Sequence, residues 1–293
     1  MIKYDLKGYF KPNTLDETLK LLHDYKGAAK IIAGGTLIHE LSERNVLEGI
    51  EYYVDIENVG LNYIKTKEDG LCVGAAVSFN EIANNPIFYQ PSYYALYLAA
   101  KGVSSYQVRN VATIGGSICS SISFLDVPTA LVALNAKAKI VSLNKERIEN
   151  MENLFLNMFT PNLAEDEILT EIILPLQDEK TSSYHMKISE KTFQYALVNV
   201  SVKIKIEDYN LINDVRVVFG NVQPIPFVES NVGKLMKGKF ISDELINKVM
   251  KDIPSIEPMD SINASSWYKR KISKVLFRDA LKEALKLLGD KNV

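Results

Sequence analysis

The chain has 293 residues, 47% apolar and 24% charged, enough to bury a sizeable core in about two domains of ordinary size. Its net charge of −2 gives no basic field for nucleic acid, and no run approaches the roughly 18 apolar residues of a membrane helix. The opening residues lack the apolar core of a signal peptide, and Cys72 and Cys119 are too few for a disulfide framework or an iron–sulfur cluster, so a reducing cytoplasm is expected.

"TLDETLKLLHDYKG" opens with Thr14 and Glu17 in a capping-box pattern and places Leu15, Leu19 and Leu22 on one helical face, with Gly27 as a C-terminal cap. "AKIIA" reads as a short buried strand, which breaks at Gly34 and Gly35. "LIHELSER" then predicts a helix with Leu37, Ile38 and Leu41 inward, and "YYVDI" at 52–56 another strand. Alternation around Asp69-Gly70 predicts a hairpin, and Ser78 with Glu81 starts a short helix. "YYALYLAAKG" predicts a helix ending at Gly102. A second glycine pair, Gly115 and Gly116, lies in "VRNVATIGGSICSS", and Asp126 and Pro128 then announce a helix start. "AKAKIVSL" and "ILTEIIL" read as strands, closed by Pro175. Val198, Val200, Val202, Ile204 and Ile206 alternate as a half-buried strand, and "DYN" turns it into "LINDVRVVFG". A final long helix carries the stripe Ile272, Val275, Leu276, Ala280, Ala284, Leu285 and Leu288 up to Gly289.

Paired glycines permit positive φ and remove the side chains that keep a ligand off the backbone. Successive N–H groups can then converge on an anion, helped by the positive end of a following helix. Two such turns in segments of different texture suit the two phosphates of a diphosphate. A plain tight turn is the alternative at each. No G-x-x-x-x-G-K-[ST] and no G-x-G-x-x-G is present, which excludes a P-loop and leaves the Rossmann reading without its fingerprint. His23, His39 and His185 show no metal spacing, and no nucleophile–base pair stands out.

"AGGT", "VRN-x-x-TIGGS" and the D-x-P at Asp126 together resemble the FAD-binding subunit of the molybdenum hydroxylases, the family of xanthine and carbon monoxide dehydrogenases. "EDEILTEIILP", "SYHMKISEKTFQYALVNVSV" and "SSWYKRKISKVLFRDALKEAL" extend the resemblance over nearly the whole chain. It implies an α+β fold: a two-subdomain FAD-binding domain of the vanillyl-alcohol-oxidase/molybdopterin-dehydrogenase type at 1–175, with subdomains of about 1–57 and 58–175. A C-terminal α+β domain with a small antiparallel sheet and helices follows at 176–293.

The resemblance implies that FAD lies between the two glycine segments. Lys30, Ile31, Ile32, Ala33, Gly34, Gly35, Thr36, Leu37 and Ile38 would form the first. Val108, Ala112, Thr113, Gly115, Gly116, Ser117, Cys119 and Ser120 would form the second, with Ser117 where the family often has asparagine. Asp126 would contact the sugar–diphosphate region, cap its helix, or both. Lys187 would place a cation near the flavin ring and so tune its potential. Leu169 would pack on the ring or simply fill the core. Tyr195 stands where some relatives carry an aromatic residue over the flavin, and whether it blocks nicotinamide stays open. The implied role is electron transfer, from iron–sulfur centres on a partner chain through FAD to NAD+ or another acceptor. The molybdenum cofactor and [2Fe-2S] clusters would sit only on partners, a large molybdenum subunit and a small iron–sulfur subunit. The alternatives are a free-standing FAD-dependent oxidoreductase of the same fold, or a nucleotide-binding module without redox activity.

Overall fold

The computed structural model describes residues 6–191, 194–207, 210–253 and 256–289. In chain order, β1 (Gly8–Phe10) leads to α1 (Leu15–Tyr25), β2 (Ala29–Ile32), α2 (Ile38–Glu43) and β3 (Tyr52–Asp55), then to the hairpin of β4 (Ile64–Lys67) and β5 (Gly70–Gly74). Helices α3 (Phe79–Asn84), α4 (Tyr94–Lys101), α5 (Tyr106–Val111), α6 (Ile114–Cys119) and α7 (Asp126–Ala133) follow. Next come β6 (Lys137–Val141), β7 (Glu146–Asn150), β8 (Phe155–Asn157), β9 (Thr160–Pro161) and β10 (Ile168–Leu174). Strands β11 (Thr181–Ile188), β12 (Val198–Ile206), β13 (Ile212–Gly220) and β14 (Phe227–Val228) precede α8 (Ser230–Met236), α9 (Asp243–Asp252) and α10 (Ser266–Leu287). Of the turn expected at "DYN", Asp208 and Tyr209 lie outside the described residues, as do Met1 to Asp5.

These elements form two compact units that share the chain in alternation. The first comprises Met1–Phe79, Tyr106–Ser121 and Ala136–Pro175; the second comprises Asn80–Ser105, Ile122–Asn135 and Leu176–Val293.

In the first unit, a parallel sheet of order β1-β3-β2 carries α1. Leu19 and Leu22 of that helix join Ala29, Val54, Ile56, Val59 and Leu61 in one core cluster. Thr14 caps α1 by accepting from the Glu17 N–H at 3.2 Å. The Glu17 carboxylate bonds back to the N–H of Asn13 at 2.8 Å, one residue earlier than a capping box requires. An antiparallel sheet of order β4-β5-β10-β6-β7 forms the other layer, and Asp69-Gly70 turns its hairpin with Lys67 opposite Gly70. Strands β1, β7, β8 and β9 carry little sequence signal: they are two to five residues long, and β7 ("ERIEN") exposes its one apolar residue, Ile148.

The second unit is built on the antiparallel sheet β11-β12-β13-β14. Val198, Val200, Val202 and Ile204 of β12 and Val215, Val217 and Phe219 of β13 share a core with residues of α8, α9 and α10. Each such fully buried side chain contributes roughly 1.5–3 kcal/mol. The alternation predicted a strand with one face in solvent. Instead, the intervening residues Asn199, Ser201 and Lys203 are buried as well, at no more than 5% exposure. Helices α4 and α7, drawn from the first half of the chain, pack on the sheet, and hydrogen bonds tie them to its polar face. Ser183 Oγ accepts from the Ala95 N–H at 3.0 Å and donates to the Ser92 carbonyl at 2.9 Å. Arg216 Nε donates to the Val132 carbonyl at 3.0 Å.

Candidate cofactor site

The first glycine turn leaves β2 and enters α2. Gly35 has φ +66°, a left-handed conformation that strains any other residue. Gly34 has an ordinary φ and is needed for space: a Cβ there would lie 1.7 Å from the Val111 carbonyl oxygen. The first turn thus rests directly on the end of α5, where the second glycine segment begins. Among the described residues, the N–H groups of Gly34, Gly35, Thr36 and Leu37 have no acceptor, and the Thr36 hydroxyl has no partner. Four consecutive free amides in a turn make an anion cradle.

The second segment works differently from expectation. Gly115 and Gly116 do not follow a strand and do not take positive φ; both lie in the first turn of α6. Their lack of side chains serves close packing. A Cβ on Gly115 would lie 2.6 Å from the Ala75 carbonyl oxygen, and one on Gly116 would lie 3.0 Å from Thr113 Oγ1. Most of the amides here already have acceptors. Ala112 N–H bonds Val108 O, Ile114 N–H bonds Val77 O, and Gly115 N–H bonds Ala75 O. Thr113 caps α6 by accepting from the Gly116 N–H at 3.1 Å, and Ser117 N–H bonds Thr113 O. Of the second segment's amides, those of Ala112, Ile114, Gly115, Gly116 and Ser117 are bonded within the protein, whereas those of the first turn have no acceptor among the described residues.

The remaining candidates of the first unit lie in β2, α2, α5, α6 and β10 or next to them. Lys30, Ile31 and Ile32 form β2. Ser117 is 5% exposed, and Ser120 donates its hydroxyl to the Ser117 carbonyl at 2.8 Å. Burial pushes the Cys119 thiol up to about 11, with the Lys30 charge pulling the other way. Leu169 is 2% exposed in β10, opposite Ile140.

Asp126, Lys187 and Tyr195 belong to the second unit. Asp126 is the first residue of α7 and does not cap it; the cap position is Leu125, without a side-chain bond. The Asp126 carboxylate takes the Lys187 ammonium at 2.6 Å on Oδ2, and Lys187 also donates to the Gly102 carbonyl at 2.8 Å. Lys187 is thus an anchored, ion-paired cation with its side chain 19% exposed, and not a solvated surface lysine. On the other oxygen of Asp126, His185 Nε2 stands at 3.4 Å. Burial pushes the Asp126 carboxyl upward, but the neighbouring His185 and the Lys187 ammonium outweigh it and hold the group below the ordinary carboxylate range. Tyr195 is half exposed and rests on Phe124, with ring centroids 4.7 Å apart. His185 was missed in the sequence, where the histidines were tested only for metal spacing. Its place two residues before Lys187 in a strand was the available signal, since i and i+2 share a face. Among the described residues no group of histidine, cysteine and carboxylate side chains could hold a metal.

Residues 3–177 match the family model for the FAD binding domain in molybdopterin dehydrogenase, and residues 184–284 match that for the CO dehydrogenase flavoprotein C-terminal domain. The glyceraldehyde dehydrogenase medium chain of Sulfolobus acidocaldarius is 32% identical over 94% of this chain and 97% of its own length. The nicotinate dehydrogenase FAD-subunit of Eubacterium barkeri is 33% identical over 68% of this chain and 69% of its own. A carbon monoxide dehydrogenase structure from Hydrogenophaga pseudoflava superimposes with a TM-score of 0.90 over 96% of this chain and 98% of that one; at 24% identity this likeness establishes the fold. The chain belongs to the medium, FAD-binding subunits of the molybdenum hydroxylase family.

Proposed function

We propose that the chain is the electron-transferring flavoprotein of a multi-subunit molybdenum hydroxylase, with its FAD diphosphate seated on the first glycine turn. One observation carries this reading: among the described residues, the four successive amides from Gly34 to Leu37 have no acceptor, on a turn packed too tightly against Val111 to admit a Cβ at Gly34. Such a cradle fits a diphosphate by charge and by space. When bound, FAD supplies the redox chemistry, taking electrons that arrive through iron–sulfur centres on a partner and releasing them to NAD+ or another acceptor.

The chain's own residues bind, orient and tune. Gly34, Gly35, Thr36 and Leu37 donate to the phosphates, while Lys30 to Ala33 and Ile38 hold the turn in place. Val108, Ala112, Thr113, Gly115, Gly116, Ser117, Cys119 and Ser120 wall the cofactor. Asp126, Leu169, Lys187 and Tyr195 are assigned to the same cofactor on the family resemblance. The functional division into a cofactor-binding region at 1–175 and a C-terminal region at 176–293, and a cytoplasmic location, belong to this proposal. The free thiols of Cys72 and Cys119 accord with that location.

Purification of the native protein under mild conditions is expected to bring down a small iron–sulfur chain and a large molybdenum chain. Recovery of the flavoprotein free of both would count against the complex. Rapid mixing of the FAD-loaded chain with NADH tests the acceptor: bleaching of the flavin absorbance supports NAD+, and an unchanged spectrum points to a different acceptor.

A further inference from the structure

His185 is 6% exposed and has no place among the cofactor contacts above. It shares a face of β11 with Lys187 and stands opposite Ser201 in the β11–β12 register. Ser201 Oγ lies 2.8 Å from its Nδ1. A serine hydroxyl can donate or accept, so the ring's other side decides the tautomer. With the hydroxyl donating to Nδ1, the proton sits on Nε2 and faces the Asp126 carboxylate at 3.4 Å. The opposite tautomer would set two lone pairs against each other. At 3.4 Å the two atoms face each other without closing a hydrogen bond, and neither has a hydrogen-bond partner among the described residues. The carboxylate is therefore flanked, with the imidazole facing one oxygen and the ammonium bonded to the other. Lys187 spends two of its three donors on Asp126 and Gly102, so these two bonds fix the direction of the third.

We propose that His185 is a positioning residue for Lys187, acting through Asp126. The imidazole sets the rotation of the carboxylate, and the carboxylate sets the aim of the remaining ammonium N–H. Remove the imidazole, and a buried carboxylate oxygen loses its only facing donor; the carboxylate turns toward Lys187 or admits water. The consequence for the flavin rests on the assignment of Lys187 to that cofactor. The link among the three side chains does not.

The test uses the full-length chain, FAD-stripped and FAD-loaded, with His185→Phe, His185→Gln, Lys187→Met and the double variant His185→Phe/Lys187→Met. His185→Gln keeps an N–H near the place of Nε2. In the stripped protein, His185→Phe and Lys187→Met each lower Tm, the double variant loses less than their sum, and His185→Gln recovers most of the loss. In the loaded protein, His185→Phe shifts the flavin midpoint potential, the shift shrinks in the Lys187→Met background, and His185→Gln reverses it. Additive Tm losses, or a potential shift of equal size with and without Lys187, overturn the proposal. A potential unmoved by Lys187→Met, together with subadditive Tm losses, leaves the positioning link standing and removes Lys187 from the flavin. Should His185→Phe fail to fold, Ser201→Ala, which frees the tautomer, carries the same comparisons.

Discussion

The four glycines of the two segments are needed for different reasons, and substitutions separate them. Gly35→Val is opposed by a positive φ, and Gly34→Ala by a backbone oxygen 1.7 Å away; both are expected to abolish FAD retention on a desalting column. Gly116→Val meets the Thr113 hydroxyl at 3.0 Å, disturbs the α6 cap, and is expected to weaken retention less than Gly34→Ala. Gly49→Ala serves as the control: its φ is +82° but open space surrounds it, so it should cost about 1 kcal/mol of stability and leave FAD bound. Asp126 gives a pH prediction. Its folded pKa is depressed, so its stabilisation is present above the ordinary carboxylate range and is lost as pH falls through the lower, folded value. Asp126→Asn should cost roughly 3 kcal/mol in urea unfolding at pH 7, and the gap to the native protein should close in acid. The glycines were legible in the sequence because paired glycines beside apolar runs are conspicuous. The division of labour between them was not. It depends on the carbonyls of Ala75 and Val77, which lie about forty positions away and are brought in by the chain's return.

At the scale of elements, β12 shows what periodicity conveys and what it conceals. Alternation located the strand and its apolar face, since Val198, Val200, Val202 and Ile204 could face only a core. It could not reveal that Asn199, Ser201 and Lys203 would be roofed by α4 and α7, because those helices carry no mark of their destination. Polar residues in such a layer are tolerated when bonded, as Ser183 and Arg216 are, and costly when they are not. Lys203 is the exposed case energetically: burial lowers its pKa, and its nearest carboxylate, Asp214, is 3.8 Å away. Lys203→Met is expected to raise Tm by about 2–4 °C at pH 7, the equivalent of roughly 1 kcal/mol. The sign of the pH dependence follows from the depressed folded value. In the native protein the cost is present while the unfolded lysine is protonated and the folded one resists, so its stability gains on the variant as pH rises.

At the scale of the whole molecule, the sequence conveyed two regions and their order but not their interleaving. Family models divide the chain between 177 and 184, yet the second compact unit reaches back to claim Asn80–Ser105 and Ile122–Asn135. A fragment of residues 176–293 would keep α10 on one side of its sheet while baring His185, Asn199, Ser201 and Lys203 on the other. It is expected to be aggregated or partly unfolded by circular dichroism and gel filtration, whereas a fusion that restores Asn80–Ser105 and Ile122–Asn135, joined by a short linker, should recover a cooperative melt. Recombination between relatives is constrained in the same way. A crossover near Pro175 would leave one parent's roof helices over another parent's polar floor, so new pairings of flavin handling and surface can spread only if the roof travels with the floor.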